Sequence, residues 1–134
     1  MPTSSKVIVL KRMVVGDEDL LVKVYGWGGV MRLFVREGAL PEKGYVGIFE
    51  PFNVLELSYR QAGDIILPLD IKKVDFLSYL ALESYERYLW MCSVGNFFMK
   101  WVRYYDSQLF ELLIRYLTIK VDNINTFLLR FKID

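Results

Sequence analysis

The chain has 134 residues, with 17 basic and 16 acidic side chains, no histidine and one cysteine. The near balance of charge argues against capture of nucleic acid by the whole surface, so any such binding must be local. Histidine is the commonest general base near neutral pH, and structural zinc is held by cysteine and histidine. We therefore expect a protein that is not an enzyme and that has no metal, no cofactor and no small-molecule substrate.

The compartment is predicted from the same inventory. The longest uncharged stretch runs from Tyr88 to Met99, which is shorter than the about 20 residues that a membrane-spanning helix needs. The first residues have no signal-peptide pattern, and the lone Cys92 has no partner for an internal disulfide. We expect a cytoplasmic protein without a membrane segment.

Up to Asp75, the apolar residues follow the period of β-strands. Short alternating runs separated by glycine- and aspartate-containing turns predict five strands. Pro68 falls in the fifth, so we expect an edge or a bulge at that position. Five short strands in about 70 residues favour a small closed barrel of the OB type. The predicted strands are Lys6–Met13, Leu20–Tyr25, Val30–Arg36, Asn53–Tyr59 and Asp64–Asp70.

After Asp75, the apolar spacing changes to the three-and-four pattern of helices. The fold class is therefore predicted to be α+β, with an OB-type domain at 1–75 and an α-helical domain at 76–134. About four helices are indicated, with predicted N-caps at Asn96, at Asp106 or Ser107, and at Asp122 or Asn123. An aromatic stripe at helical spacing is expected to lie in the core: Phe97, Phe98, Trp101, Tyr104 and Tyr105.

The second and third predicted strands form a ribbon whose two faces differ in chemistry. One face is aliphatic, and the other interleaves cations with aromatic rings. Bases stack on aromatic rings and phosphates pair with cations, so this pattern is typical of a surface that binds single-stranded nucleic acid. The alternatives are a face that is simply solvated, or one that packs against the rest of the protein. The candidate contacts are Lys23, Tyr25, Arg32, Phe34 and Arg36.

Landmarks around this ribbon occur in a consistent order along the chain. The apolar run 7–12, which ends in Lys11-Arg12, is followed by an acidic turn at 16–19, glycines at 28–29, the segment Gly38-Ala39-Leu40 and the segment Glu50-Pro51-Phe52. The later run 106–113 has the pattern Leu-Phe-x-Leu-Leu. Together these features resemble the RecO family of bacterial DNA repair and recombination mediators.

The resemblance implies an OB domain followed by helices, binding of single-stranded DNA, annealing of complementary strands and assistance in recombinase loading. It also implies RecR-like and single-strand-binding-protein partners, and it adds Lys43 to the candidate DNA contacts. Family members usually continue further, often with a cysteine cluster, so we expect a short or truncated member with an incomplete helical region. The alternative is a protein-interaction module that docks on a recombination partner and has little DNA affinity of its own.

Overall fold

The computed structural model of the protein describes residues 3–119. A closed five-stranded β-barrel is followed by helices, which confirms the predicted α+β class with an OB-type barrel. The strands are β1 (Thr3–Val15), β2 (Asp19–Gly26), β3 (Gly29–Val35), β4 (Val54–Ala62) and β5 (Ile65–Asp75). The helices are α1 (Tyr45–Ile48), α2 (Tyr85–Trp101) and α3 (Ser107–Thr118), with short 3-10 segments at Pro41–Lys43 and Leu77–Leu82.

The barrel closes in the strand order β1-β2-β3-β5-β4. The neighbouring pairs are antiparallel except β3 and β5, which run parallel and have Leu33 opposite Ile66 as their registered pair. Pro68 lies opposite Tyr59, directly beside a register shift in the β4–β5 ladder. The bulge expected at this proline is therefore confirmed, because proline has no amide hydrogen to donate to a ladder.

Two apolar cores lie on opposite sides of the barrel wall. The first fills the barrel interior, where alternate residues of β1, β2, β3 and β4 meet around Phe49 and Ile66. The second lies outside the wall, between β1, β2 and the helices. Its members include Tyr25, Trp90, Phe98, Phe110 and Leu113. The helical part is thus packed on the barrel through its own apolar layer.

The predicted helix starts are partly right. Asp106, one of the two alternatives predicted there, is the N-cap of α3, because its carboxylate accepts a hydrogen bond from the Gln108 amide at 2.7 Å. Ser84, which was not predicted, is the N-cap of α2, because its hydroxyl accepts a hydrogen bond from the Arg87 amide at 3.0 Å. Asn96 is not a cap, because it lies inside α2. Burial of the α2 residues before and after Gly95 stabilises the helix by more than the penalty for glycine in a helix, which is about 1 kcal/mol. The caps predicted at Asp122 or Asn123 lie outside the described residues.

The aromatic stripe is only partly a core feature, so that prediction is wrong for three of its members. Phe98 is buried and Phe97 half-buried, whereas Trp101, Tyr104 and Tyr105 are exposed. The helical spacing misled because α2 ends at Trp101 and both tyrosines lie in the connection to α3.

Candidate nucleic-acid interface

Strand register brings three cations into one line on the outer face of the barrel. Lys23 of β2 lies directly opposite Arg32 of β3 and, on its other side, directly opposite Lys11 of β1. All three side chains are exposed. Because directly opposite residues of an antiparallel pair point to the same side of the sheet, they form a continuous line of positive charge. We call Lys11, Lys23 and Arg32 the cation row.

Sequence reasoning found two members of the cation row and missed Lys11. A β-bulge in β1 between Val9 and Lys11 shifts the register of the β1–β2 ladder. A bulge places two residues of one strand opposite a single residue of its partner, so the faces of β1 do not alternate simply along the sequence. The lysine next to Leu10 was visible in the sequence, but only the register places it beside Lys23.

The row is electrostatically unfavourable for the protein alone. Like charges directly opposite each other destabilise a sheet. Within residues 3–119, the ion pairs are Arg12 with Glu50 at 2.8 Å and Lys43 with Glu37 at 3.3 Å, so no carboxylate there forms an ion pair with the row. An anion bound along the row would relieve this repulsion.

Arg36 and Lys43 lie beyond the end of β3 and differ in their surroundings. Arg36 is exposed and forms no ion pair with the residues described. Lys43 is also exposed, but its ammonium group pairs with the Glu37 carboxylate, which reduces its value as a phosphate contact. The Glu37 amide in turn donates a 2.8 Å hydrogen bond to the Asp19 carboxylate. Arg36 therefore extends the positive surface more directly than Lys43 does.

Tyr25 cannot be a stacking surface, so that prediction is wrong. Its side chain has 0% exposure and belongs to the core between the barrel and the helices. Its ring makes an edge contact with Phe98, with centroids 5.6 Å apart. Its hydroxyl donates to the Tyr104 carbonyl at 3.0 Å and accepts from the Asp106 amide at 3.2 Å. Desolvation by burial raises the pKa of this phenol above its ordinary value.

Phe34 occupies a different environment from Tyr25 although both lie on the outer face. It is half-buried and belongs to neither apolar core. It lines a cleft that opens where β3 and β5 separate, beyond the pair Leu33 and Ile66. The cleft has a volume of about 680 Å³. We call it the β3–β5 cleft, and its polar or aromatic lining residues include Phe34, Arg36, Tyr45, Arg60 and Asp70.

The described residues also bear on two other kinds of site. Among residues 3–119, no group of three or more acidic or cysteine side chains is placed to hold a metal ion. In the same part of the chain, no helix combines the length and apolar character needed to cross a membrane.

Comparison with known proteins places the chain beside a relative of unassigned function. It is 37% identical over 116 residues to an uncharacterized protein of Aquifex aeolicus (strain VF5). The match covers 87% of this chain and 54% of the relative, so the chain spans about half the length of that protein. No family model matches the chain.

Proposed function

We propose that the protein binds single-stranded DNA non-specifically along the cation row and Arg36. The observation that carries this proposal is the cation row itself, in which three exposed cations on three adjacent strands face each other without an ion-pair partner among residues 3–119. The phosphates of a DNA strand would supply the missing negative charge. The closed barrel of the OB type supports the same proposal, because this fold commonly binds oligonucleotides on one sheet face.

The expected affinity is modest. The balanced net charge supplies no long-range field, so binding depends on about four local phosphate contacts. Non-specific complexes of this kind have dissociation constants of about 1–100 μM at physiological salt. Each contact to a single strand releases about 0.7 counterions, so the slope of log affinity against log salt should be about −2.8.

A salt titration tests the proposal. Fluorescence anisotropy of a labelled oligo(dT) would be measured for the natural protein and for the double variant Lys23→Ala/Arg32→Ala. A matched control is Lys72→Ala/Lys73→Ala, which removes the same charge from exposed positions of β5 outside the row. Equal affinity and equal slope for the natural protein and the row variant would overturn the proposal.

We further propose that this binding serves DNA repair and recombination, as the resemblance to RecO implies. In that role the protein would anneal complementary strands and help to load a recombinase onto DNA covered by single-strand-binding protein, together with a RecR-like partner. Annealing is directly measurable with two complementary labelled oligonucleotides. The row variant should lose annealing in proportion to its loss of DNA binding, whereas the β5 control variant should retain it.

A second candidate function is docking on a recombination partner, and the exposed apolar residues of the helical part favour it. Leu82 is 81% exposed and Tyr85 71% exposed, close to the start of α2. Surfaces of this kind often mark protein contacts. Docking through them should tolerate high salt, whereas DNA binding through the cation row should weaken. Sedimentation of the protein with a RecR-like partner at low and high salt would distinguish the two functions.

A further inference from the structure

The β3–β5 cleft lies next to the cation row, on the path that a bound strand would follow. Arg32 and Phe34 occupy alternate positions of β3, and Arg36 follows directly after the strand and lines the cleft, so these residues lead from the row towards the cleft. Successive alternate residues of a strand are about 7 Å apart along its axis. Phe34 thus lies between two cations and forms part of the wall of a cavity.

The lining of the cleft combines an apolar interior with cations. Phe34, Tyr45, Ile48 and Leu67 supply aromatic or aliphatic surface. Arg36, in the turn after β3, and Arg60, in β4, both line the cleft, are exposed and form no ion pair with residues 3–119. Asp70 contributes the only carboxylate among the lining residues. A cleft lined by apolar side chains and by two guanidinium groups that form no ion pair within residues 3–119 matches a flat heterocycle that carries phosphate on either side.

The size and openness of the cleft fit this kind of ligand. Its volume of about 680 Å³ lies within the range of about 300–1,000 Å³ that is usual for small-molecule sites. The cleft exists because β5 leaves β3 after the pair Leu33 and Ile66. It is therefore built into the barrel wall and is not covered by the helices that bury Tyr25.

We propose that the β3–β5 cleft holds one unstacked nucleobase of the bound strand, with Phe34 as its stacking surface and with Arg36 and Arg60 on the phosphates that flank it. This inference rests on the proposed function, because the cation row must first bring the strand to the cleft. It adds to that function a contact with a base, whereas the cation row recognises only the backbone. The Asp70 carboxylate can accept a hydrogen bond from an N–H group on the edge of the base.

The test compares two polymers of equal length and equal charge. One is oligo(dT), and the other is an oligonucleotide whose sites are all abasic. The full chain should bind oligo(dT) about 5- to 140-fold more tightly than the abasic polymer, because stacking of one base on an aromatic side chain contributes that factor. Both polymers should show the salt dependence of the cation row.

Variants locate the preference in the cleft. Phe34→Ala should remove most of the preference for oligo(dT) while leaving abasic binding unchanged. Phe34→Leu, which keeps an apolar side chain but removes the aromatic ring, should do the same. The matched control is Tyr79→Ala, which removes an exposed aromatic ring that stacks on Phe76 away from the cleft. It should keep the preference. An unfolding curve for each variant verifies that the fold is retained.

The outcomes separate this inference from the function on which it rests. If the natural protein bound both polymers equally, and both affinities fell with salt as expected for the cation row, the cleft inference would be overturned. The proposed function would still stand. A base preference that survives in both Phe34→Ala and Phe34→Leu would also overturn the cleft inference, because the base would then lie elsewhere. Absence of binding to either polymer would overturn both.

Discussion

The outer face of β2 and β3 has a closed half, which is covered by the helical part, and an open half, which is not. At one end, Tyr25 and Val30 lie opposite each other and are packed against the helical part. At the other end, Lys23 and Arg32 lie opposite each other and are exposed, with Phe34 beyond them in an open cleft. The halves are only two residues apart along β2. The difference shows that strand alternation determines the face of the sheet on which a side chain lies. Whether that side chain is buried depends on which other part of the protein packs there.

The closed half is held by both packing and hydrogen bonds. The Tyr25 hydroxyl bridges the connection between α2 and α3 through the Tyr104 carbonyl and the Asp106 amide. The open half has no such bridge among residues 3–119, and its cations repel one another. We therefore expect substitutions in the closed half to change stability and those in the open half to change DNA binding.

The largest expected effect separates the two aromatic positions. Tyr25→Ala should lower the free energy of unfolding by about 3–5 kcal/mol, the usual cost of deleting a large buried aromatic side chain. Phe34→Ala should cost much less, because Phe34 is half-buried and belongs to neither core. Denaturant unfolding of both variants measures the difference. Similar losses at both positions would contradict the division into a closed and an open half.

The next largest effect concerns the open half. Lys23→Ala/Arg32→Ala should weaken binding of oligo(dT) about tenfold at about 0.15 M salt and should reduce the salt slope by about 1.4, since two phosphate contacts are lost. Stability should stay the same or rise slightly, because opposed like charges are removed. The binding is measured by anisotropy and the stability by denaturant unfolding. A marked loss of stability would indicate that the row has a structural role.

A smaller effect is expected where α3 begins. Asp106→Ala should lower the free energy of unfolding by about 1 kcal/mol, because the first-turn amides of Gln108 and Leu109 lose the carboxylate that caps them. Asp106→Asn should retain most of the cap. DNA affinity of the folded variants should be unchanged, since the cap lies at the closed half. Reduced DNA binding by the folded alanine variant would show that the two halves are coupled.

The smallest effect is a pH dependence. The pKa of Tyr25 is raised in the folded state by burial, so the unfolded chain loses this proton first as the pH rises. The unfolded state then binds fewer protons than the folded state, and stability falls from about pH 10 upwards. Tyr25→Phe should show a shallower fall in this range, in addition to a pH-independent loss from the missing hydroxyl. Parallel pH profiles of the two proteins would contradict this assignment.

The sequence was a good guide to the elements because apolar periodicity reflects local geometry. The five predicted strands and the change to helices after Asp75 agree with the structure, and so do the cap at Asp106 and the irregularity at Pro68. Its errors occurred where local preference and tertiary packing disagree. Gly95 and Asn96 led to the prediction of a helix boundary, but the buried face of α2 continues through them. The aromatic stripe was predicted to lie in the core, but it extends past the end of α2.

The candidate site was predictable only in part, for a related reason. Alternation within the ribbon was enough to place Lys23, Arg32 and Phe34 on one face. It could not show that helices cover Tyr25, or that Lys43 pairs with Glu37. Residues that come from distant strands, such as Arg60 in the cleft, carry no sequence signal that links them to β3.

By itself, the sequence determined the barrel, the helical half and the cationic side of the central ribbon, because strand and helix periods and turn residues act over a few positions. The tertiary structure alone decided which half of that side stays open, how a bulge aligns Lys11 with Lys23, and where β5 leaves β3 to form a cleft. These features depend on contacts between segments far apart in the chain. A local sequence pattern does not encode which distant segment will pack against it.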